Sequence, residues 1–79
     1  MKLQVYRTDD CPKCGLFWKN LKEAVKELNL DEKIERIDLE HAIKMNITSC
    51  PALLINGEIK SMGKLLSVEE LKKMLKENM

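Results

Sequence analysis

The sequence predicts an α/β fold in which helices flank a mixed four-stranded sheet. Apolar residues recur with helical spacing in a long segment near the N-terminus and again near the C-terminus. Short apolar runs before and between these segments have the length of strands. An Asn-Gly pair separates the last two runs, and it is a strong hairpin signal because both residues tolerate a positive φ. The predicted order of elements is β-α-β-α-β-β-α.

The first half of the chain is expected to form a parallel β-α-β unit. Residues 2–7 are the first predicted strand, and a helix is predicted from about Pro12 to Asn29. One face of that helix is apolar, with residues spaced by three and four positions, namely Phe17, Leu21, Ala24, Val25 and Leu28. The apolar residues that suggest the second strand are Ile34, Ile37 and Leu39.

The second half is expected to end in a hairpin and a helix. Residues 40–47 are predicted to form a short helix that carries Ile43 and Ile47. Strands are predicted at 52–55 and 58–62, on either side of the Asn-Gly turn. The motif Ser67-Val68-Glu69-Glu70 predicts a capping box at the start of the last helix. The expected core face of that helix consists of Val68, Leu71, Met74 and Leu75.

Length and composition narrow the class of protein. The 79 residues are expected to form a single domain over residues 1–79. Because 14 basic residues face 13 acidic ones, we expect no nucleic-acid partner. No apolar run is long enough to span a membrane, so we expect no membrane association. The first residues lack the apolar stretch of a secretory signal, which favours a cytoplasmic location, and we expect a monomer.

The motif Cys11-Pro12-Lys13-Cys14 carries the strongest indication of chemistry. It lies where the first predicted strand gives way to a helix. A helix N-terminus favours anions, so the Cys11 thiolate, which is the nucleophile of disulfide exchange, is favoured there. Pro12 suits the first helical position, and Cys14 follows about one turn later. A CxxC pair in a cytosolic chain with a β-α-β pattern indicates redox chemistry, and three cysteines in total argue against a structural disulfide framework.

This element order, with the CxxC motif after the first strand and Ser49-Cys50-Pro51 before the third, resembles the thioredoxin-like fold. The chain is similar in size to the small thioredoxin-like and glutaredoxin-like proteins of archaea and bacteria. The resemblance implies a protein disulfide oxidoreductase in which Cys11 attacks and Cys14 resolves. It also implies a cis Pro51 facing the dithiol, with the main chain of Cys50 pairing with the substrate peptide. Pro12 and Lys13 complete the predicted substrate-binding set.

The resemblance further implies the partners of the protein. These are protein disulfides as substrates, and an external thiol or disulfide reductase that restores the dithiol. No bound organic cofactor is required for this chemistry. The turn Met62-Gly63-Lys64-Leu65 differs from the glutathione-binding turn of glutaredoxins, which weakens the case for glutathione.

Other departures from the family pattern concern protons and charge. Val5 stands where thioredoxins keep a buried acid, so proton transfer needs another group or water. Asp10 stands where thioredoxins place a tryptophan. Asp9 and Asp10 are expected to oppose the thiolate, whereas Lys13 and the helix terminus favour it. Cys50 occupies a position that is usually apolar or threonine.

Two other classes of function remain open at this point. Cys11, Cys14 and Cys50 together are a candidate site for a soft metal such as Cu(I), zinc, arsenic or mercury. A structural zinc site needs four ligands, and the sequence has no second CxxC or HxxxH motif. An iron–sulfur cluster shared by two subunits is the third hypothesis. The single histidine, His41, is expected at the surface rather than as a ligand.

Overall fold

The computed structural model of the chain describes residues 1–8 and 10–78. The elements follow the predicted order, β-α-β-α-β-β-α. Their bounds are β1 Leu3–Tyr6, α1 Pro12–Glu27, β2 Ile34–Ile37, α2 Leu39–Lys44, β3 Ala52–Ile55, β4 Glu58–Met62 and α3 Val68–Glu77. No helix among the described residues is both long and apolar enough to cross a membrane.

The four strands form one mixed sheet in the order β2-β1-β3-β4. Strand β1 pairs in parallel with β2 and antiparallel with β3, with Leu3 opposite both Ile34 and Ile55. Strands β3 and β4 form the antiparallel hairpin that the Asn-Gly pair predicts, with one irregularity in register between Leu53 and Leu54. The predicted α/β fold with a mixed four-stranded sheet is confirmed.

The two faces of the sheet are covered unequally. Helices α1 and α3 pack against one face and bury the larger part of the core, which includes Phe17 and Leu53. Helix α2 covers the other face, where the core is smaller because α2 has only six residues. Side chains alternate between the faces along β3, so the neighbours Leu53 and Leu54 belong to different core clusters.

Asparagine residues end the first two helices in left-handed conformations. Asn29, after α1, has φ 55, and the N–H of Leu30 reaches back to the carbonyl of Val25. Asn46, after α2, has φ 59 and is followed by the same pattern of hydrogen bonds. This Schellman arrangement satisfies carbonyl groups that the helix end leaves unpaired. At the start of α3, both hydrogen bonds of the predicted capping box are present.

Two predictions near the middle of the chain are wrong. Leu39 does not extend β2 but begins α2, because Asp38 caps that helix through the N–H of His41, and Leu39 is 62% exposed. Ile47 does not lie in the short helix, which ends at Lys44, although its side chain is buried. The buried residue of α2 is Ala42, whereas Ile43 is 65% exposed.

The fold places the CxxC motif and the Cys50–Pro51 segment at the same end of the sheet. Strand β1 runs toward the motif, and α1 begins at Pro12, directly after Cys11. The antiparallel neighbour β3 begins at Ala52, which pairs with Tyr6 near the end of β1. The segments before β3 and after β1 therefore meet.

Candidate active site

Cys11 is the N-cap of α1. Its backbone is extended, with φ −105 and ψ 109, and its sulfur accepts a hydrogen bond from the N–H of Cys14 at 3.3 Å. Pro12 occupies the first helical position, where an N–H has no partner within the helix, so its absence costs no hydrogen bond. A sulfur therefore serves where serine or aspartate oxygen usually caps a helix, and it points at the positive end of the helix dipole.

The pKa of the Cys11 thiol is lowered from its usual value. The largest cause is the hydrogen bond from the Cys14 side chain, and main-chain N–H groups of Cys14 and Lys13 act in the same direction. A contact with the Cys50 side chain lowers the pKa further, whereas partial burial opposes the shift. The thiolate at position 11 is thus stabilised by donors that the start of α1 supplies.

Cys14 lies in the opposite environment one helical turn inward. Its side chain is fully buried, and this burial raises the pKa of its thiol to about 12. The hydrogen bond to Cys11 raises the pKa as well, because Cys14 donates its proton in that contact. The pair therefore combines a thiolate near the surface with a protonated thiol beneath it.

Cys50 approaches the pair from the loop between α2 and β3. The Cys50–Pro51 peptide bond is cis, as predicted, and Pro51 is buried. The Cys50 sulfur lies 3.7 Å from the hydroxyl oxygen of Thr8, which follows β1. All three sulfurs lie within 4.8 Å of one another, and all three cysteines are free thiols. The structure thus places the thiol of Cys50, which is not part of the CxxC motif, beside the thiols of Cys11 and Cys14.

The end of β4 supports the loop that carries Cys50. The N–H of Gly63 donates to the carbonyl oxygen of Pro51 at 2.8 Å, and Gly63 has φ +74. A methyl group added at Gly63 would lie 2.9 Å from the β-carbon of Ser49, closer than such carbons pack. The N–H of Thr48 contacts the sulfur of Met62 at 3.4 Å. Gly63 therefore lets β4 approach the Ser49–Pro51 segment closely.

The other predicted residues fall into three groups. Pro12 and Lys13 are exposed in the first turn of α1, and their predicted role in substrate binding stays a prediction. Val5 is fully buried in the larger core, so the position of the family's buried acid is filled by packing. His41 is exposed on α2, as expected. Asp9 lies outside the described residues, so its predicted effect on the thiolate stays a prediction, as does that of Asp10.

Two residues of the site were not predicted from the sequence. Thr8 contacts the Cys50 sulfur across 42 positions of sequence, and no local pattern indicates that contact. Gly63 was expected only as a break after β4. A glycine at a strand end indicates that another stretch of backbone can approach closely, and this is the signal that the sequence offers. The sequence does not indicate which stretch approaches, because the neighbour of Gly63, Ser49, lies 14 residues away.

Comparison with known proteins agrees with this geometry. Residues 1–76 match a family model described as a thioredoxin domain. A thioredoxin of Methanothermobacter thermautotrophicus is 42% identical over 76 residues, which is 95% of this chain and 97% of that protein. A thioredoxin of Methanocaldococcus jannaschii is 36% identical over 66 residues, covering 84% of this chain and 77% of that one.

A solved structure supports the same assignment at the level of the fold. Thioredoxin 1 of Thermosipho africanus superposes with a TM-score of 0.71 at 13% identity, covering 99% of this chain and 93% of that chain. With a family match over nearly the whole length and a close CxxC pair, the chain belongs to the thioredoxin family of thiol–disulfide oxidoreductases.

Proposed function

We propose that the protein exchanges disulfides with other proteins, with Cys11 as the attacking thiol and Cys14 as the resolving thiol. The observation that carries this proposal is the contrast between the two sulfurs. Cys11 is partly exposed with a lowered pKa, whereas Cys14 is fully buried with a raised pKa. Only the thiolate form attacks a disulfide, and a bulky substrate reaches an exposed sulfur more readily than a buried one.

The cycle has two exchange steps. In the first, the Cys11 thiolate attacks one sulfur of the substrate disulfide, forms a mixed disulfide and releases the other substrate sulfur as a thiolate. In the second, Cys14 loses its proton and attacks the Cys11 sulfur, which releases the second substrate sulfur and leaves a Cys11–Cys14 disulfide. The substrate gains two electrons and the protein loses two. An external thiol or disulfide reductase must return them.

The raised pKa of Cys14 is compatible with its role in the second step. Part of that rise comes from the hydrogen bond that Cys14 donates to Cys11. When Cys11 is bound in a mixed disulfide it carries no negative charge, so this cause weakens and Cys14 ionises more easily. Because Val5 supplies no carboxylate, the proton passes to water or to the thiolate that the substrate has just released.

Substrate contacts are proposed on both sides of the dithiol. Pro12 and Lys13 are exposed beside Cys11. On the other side, the main chain of Cys50 precedes the cis Pro51 at the mouth of the site. These four residues are our proposed substrate-binding set, and the substrate proteins themselves are not specified by it. The cytoplasmic location stays a prediction.

The experiment that tests the roles compares Cys11→Ser with Cys14→Ser. We expect Cys14→Ser protein to accumulate mixed disulfides with an oxidised protein substrate, because no resolving thiol is present. We expect Cys11→Ser protein to lose turnover in an insulin reduction assay with dithiothreitol as the reductant. Each variant is the other's control, since each lacks one sulfur.

Trapping should be measured by mass spectrometry after acid quenching. Full turnover by Cys11→Ser protein, or trapping through Cys14 at the rate seen through Cys11, contradicts the assigned roles. Circular dichroism of both variants checks that the fold is intact.

A further inference from the structure

The sulfur of Cys50 forms and breaks no bond in the proposed exchange cycle, in which only Cys11 and Cys14 exchange disulfides. Nevertheless the Cys50 sulfur lies within 4.8 Å of both other sulfurs. Cys11 and Cys50 are partly exposed and Cys14 is buried, so the cluster is open to solvent at two of its three cysteines. Within the described part of the chain, this group contains no histidine or carboxylate.

We propose that the reduced protein binds inorganic trivalent arsenic through the sulfurs of Cys11, Cys14 and Cys50. The inference does not rest on the proposed exchange cycle. It rests on the number of sulfurs, their separation and the burial of the site.

The separation of the sulfurs suits a single central atom. Trivalent arsenic with three bonds and a lone pair is pyramidal, so if its bonds to sulfur have about the length of a zinc–sulfur bond, roughly 2.3 Å, the three sulfurs lie about 3.5 Å apart. The sulfurs here are within 4.8 Å of one another, so at most about 1.3 Å of closure is required. Cys11 and Cys50 are only partly buried, and rotation of their side chains can supply that movement.

The number of ligands and the charge favour arsenic over metal ions. Trivalent arsenic forms three bonds and keeps a lone pair, whereas structural zinc normally takes four protein ligands. Three thiolates around Cu(I) leave two net negative charges, and around zinc they leave one. The arsenic adduct is neutral. Because Cys14 is fully buried, a neutral adduct avoids the cost of burying net charge.

The binding step is a ligand exchange without electron transfer. Arsenous acid, As(OH)₃, reacts with three thiols; three S–As bonds form, three As–O bonds break, and three water molecules leave. Each thiol proton ends on a departing water, and a site already ionised at Cys11 takes one proton from solvent. The oxidised protein lacks two of the three thiols, so binding and the Cys11–Cys14 disulfide exclude each other.

The experiment titrates the fully reduced protein with two arsenicals. Sodium arsenite offers three exchangeable positions, whereas phenylarsine oxide offers two because the phenyl group occupies the third. Binding is followed by native mass spectrometry and by the number of thiols protected from rapid alkylation. The protein variants are wild type and Cys50→Ser, and thermal unfolding shows whether the variant is folded.

The two probes should respond differently to the loss of Cys50. We expect Cys50→Ser to weaken binding of arsenite by about a hundredfold, because arsenic already held by two sulfurs gains about that much affinity from a third ligand in the same molecule. Phenylarsine oxide should bind wild type and variant equally, since Cys11 and Cys14 are sufficient for two bonds. Arsenite should protect three thiols in the wild-type protein and two in the variant.

Several outcomes overturn the proposal. Equal affinity of wild type and Cys50→Ser for arsenite shows that Cys50 is not a ligand. If arsenite protects only two thiols of the wild-type protein from alkylation, Cys50 is likewise not a ligand. Tight one-to-one binding of zinc or Cu(I) that depends on Cys50, together with no binding of arsenite, assigns the site to a metal ion instead.

Discussion

The three sulfurs of the site come from two segments that are held in place in different ways. The first segment, residues 10–15, is the start of α1, and its key contacts join near neighbours: the N–H of Cys14 donates to both the carbonyl and the sulfur of Cys11. The second segment, residues 48–51, is a loop before β3. Its contacts come from residues distant in sequence, namely Thr8, Met62 and Gly63.

This difference shows which part of the site depends on the rest of the fold. Wherever α1 forms, its N-cap geometry sets most of the environment of Cys11, because the groups that lower its pKa belong to the first residues of the helix, with the exception of the Cys50 side chain. The position of Cys50 depends on the end of β4 and on Thr8, the second residue after β1. We therefore expect the helix segment to tolerate small changes nearby and the loop segment to be sensitive to them.

The largest effect is expected within the helix segment, in the reactivity of its two thiols. At pH 7.5 we expect Cys11 to be alkylated by iodoacetamide at least about thirtyfold faster than Cys14. A pKa of about 12 at Cys14, against one lowered from 9.0 at Cys11, gives a difference in thiolate fraction of at least about a thousandfold. The greater nucleophilicity of the more basic thiolate offsets roughly half of that on a logarithmic scale. Burial of Cys14 adds to the difference.

Peptide mapping of the reduced protein over a time course measures this ratio. The pH dependence gives a second reading: the rate at Cys11 should level off at a lower pH than the rate at Cys14, which should still rise above pH 9. Labelling of Cys14 at the rate of Cys11 or faster would reverse the assignment of the two thiols and remove the contrast between the surface and the buried sulfur.

The next effect concerns the loop segment, through Gly63→Ala. We expect the free energy of unfolding to fall by about 2–3 kcal/mol. A left-handed conformation costs an L-residue about 1–2 kcal/mol, and the new methyl group must also displace Ser49. Since the β-carbon of Ser49 is fixed to its backbone, the displacement passes to Cys50. Urea unfolding measures the stability, and the alkylation rate of Cys50 reports the movement.

Gly57→Ala is the matched control for that variant. Gly57 also has a positive φ, +81, but a methyl group there meets nothing within 4 Å. For Gly57→Ala, the free energy of unfolding should fall only by the cost of the left-handed conformation, about 1–2 kcal/mol. The alkylation rate of Cys50 should be unchanged. Equal losses for the two variants, with no change at Cys50, would show that the loop does not depend on close approach by β4.

The same division explains how much of the molecule the sequence predicts. The helix face of α1 and the hairpin follow from local patterns, and the structure confirms both. The resemblance to thioredoxin-like proteins predicts that Cys50 lies near the CxxC motif, but it leaves open whether the Cys50 sulfur faces the motif or the core. The structure places that sulfur within 4.8 Å of the other two. Thr8 and Gly63 were missed, because their contacts with the loop arise only when β1 and β4 are in place.

The errors at the bounds of α2 have a related cause. A helix of six residues is too short to show a clear apolar period, and hydrophobicity alone then favours Leu39 as part of the preceding strand. In the structure, the turn between β2 and α2 is set by the Asp38 cap, and the small Ala42 is the buried residue of the helix. Helix α2 lies on the thinly covered face, where few side chains are needed to fill the core.

The smallest effect is expected at Gly15, in the helix segment, and it should have the opposite sign. Gly15→Ala should raise the free energy of unfolding by about 0.5–1 kcal/mol, because alanine loses less conformational freedom than glycine when a helix forms. A methyl group at this position meets nothing within 4 Å, although Gly15 directly follows Cys14. The alkylation rate of Cys11 should stay within twofold of wild type, since its N-cap hydrogen bonds come from the main chain. Urea unfolding and the same peptide mapping measure both quantities. A loss of stability at Gly15 as large as that at Gly63 would show that the start of α1 is as constrained by its surroundings as the loop, and that the two segments do not differ in the way described.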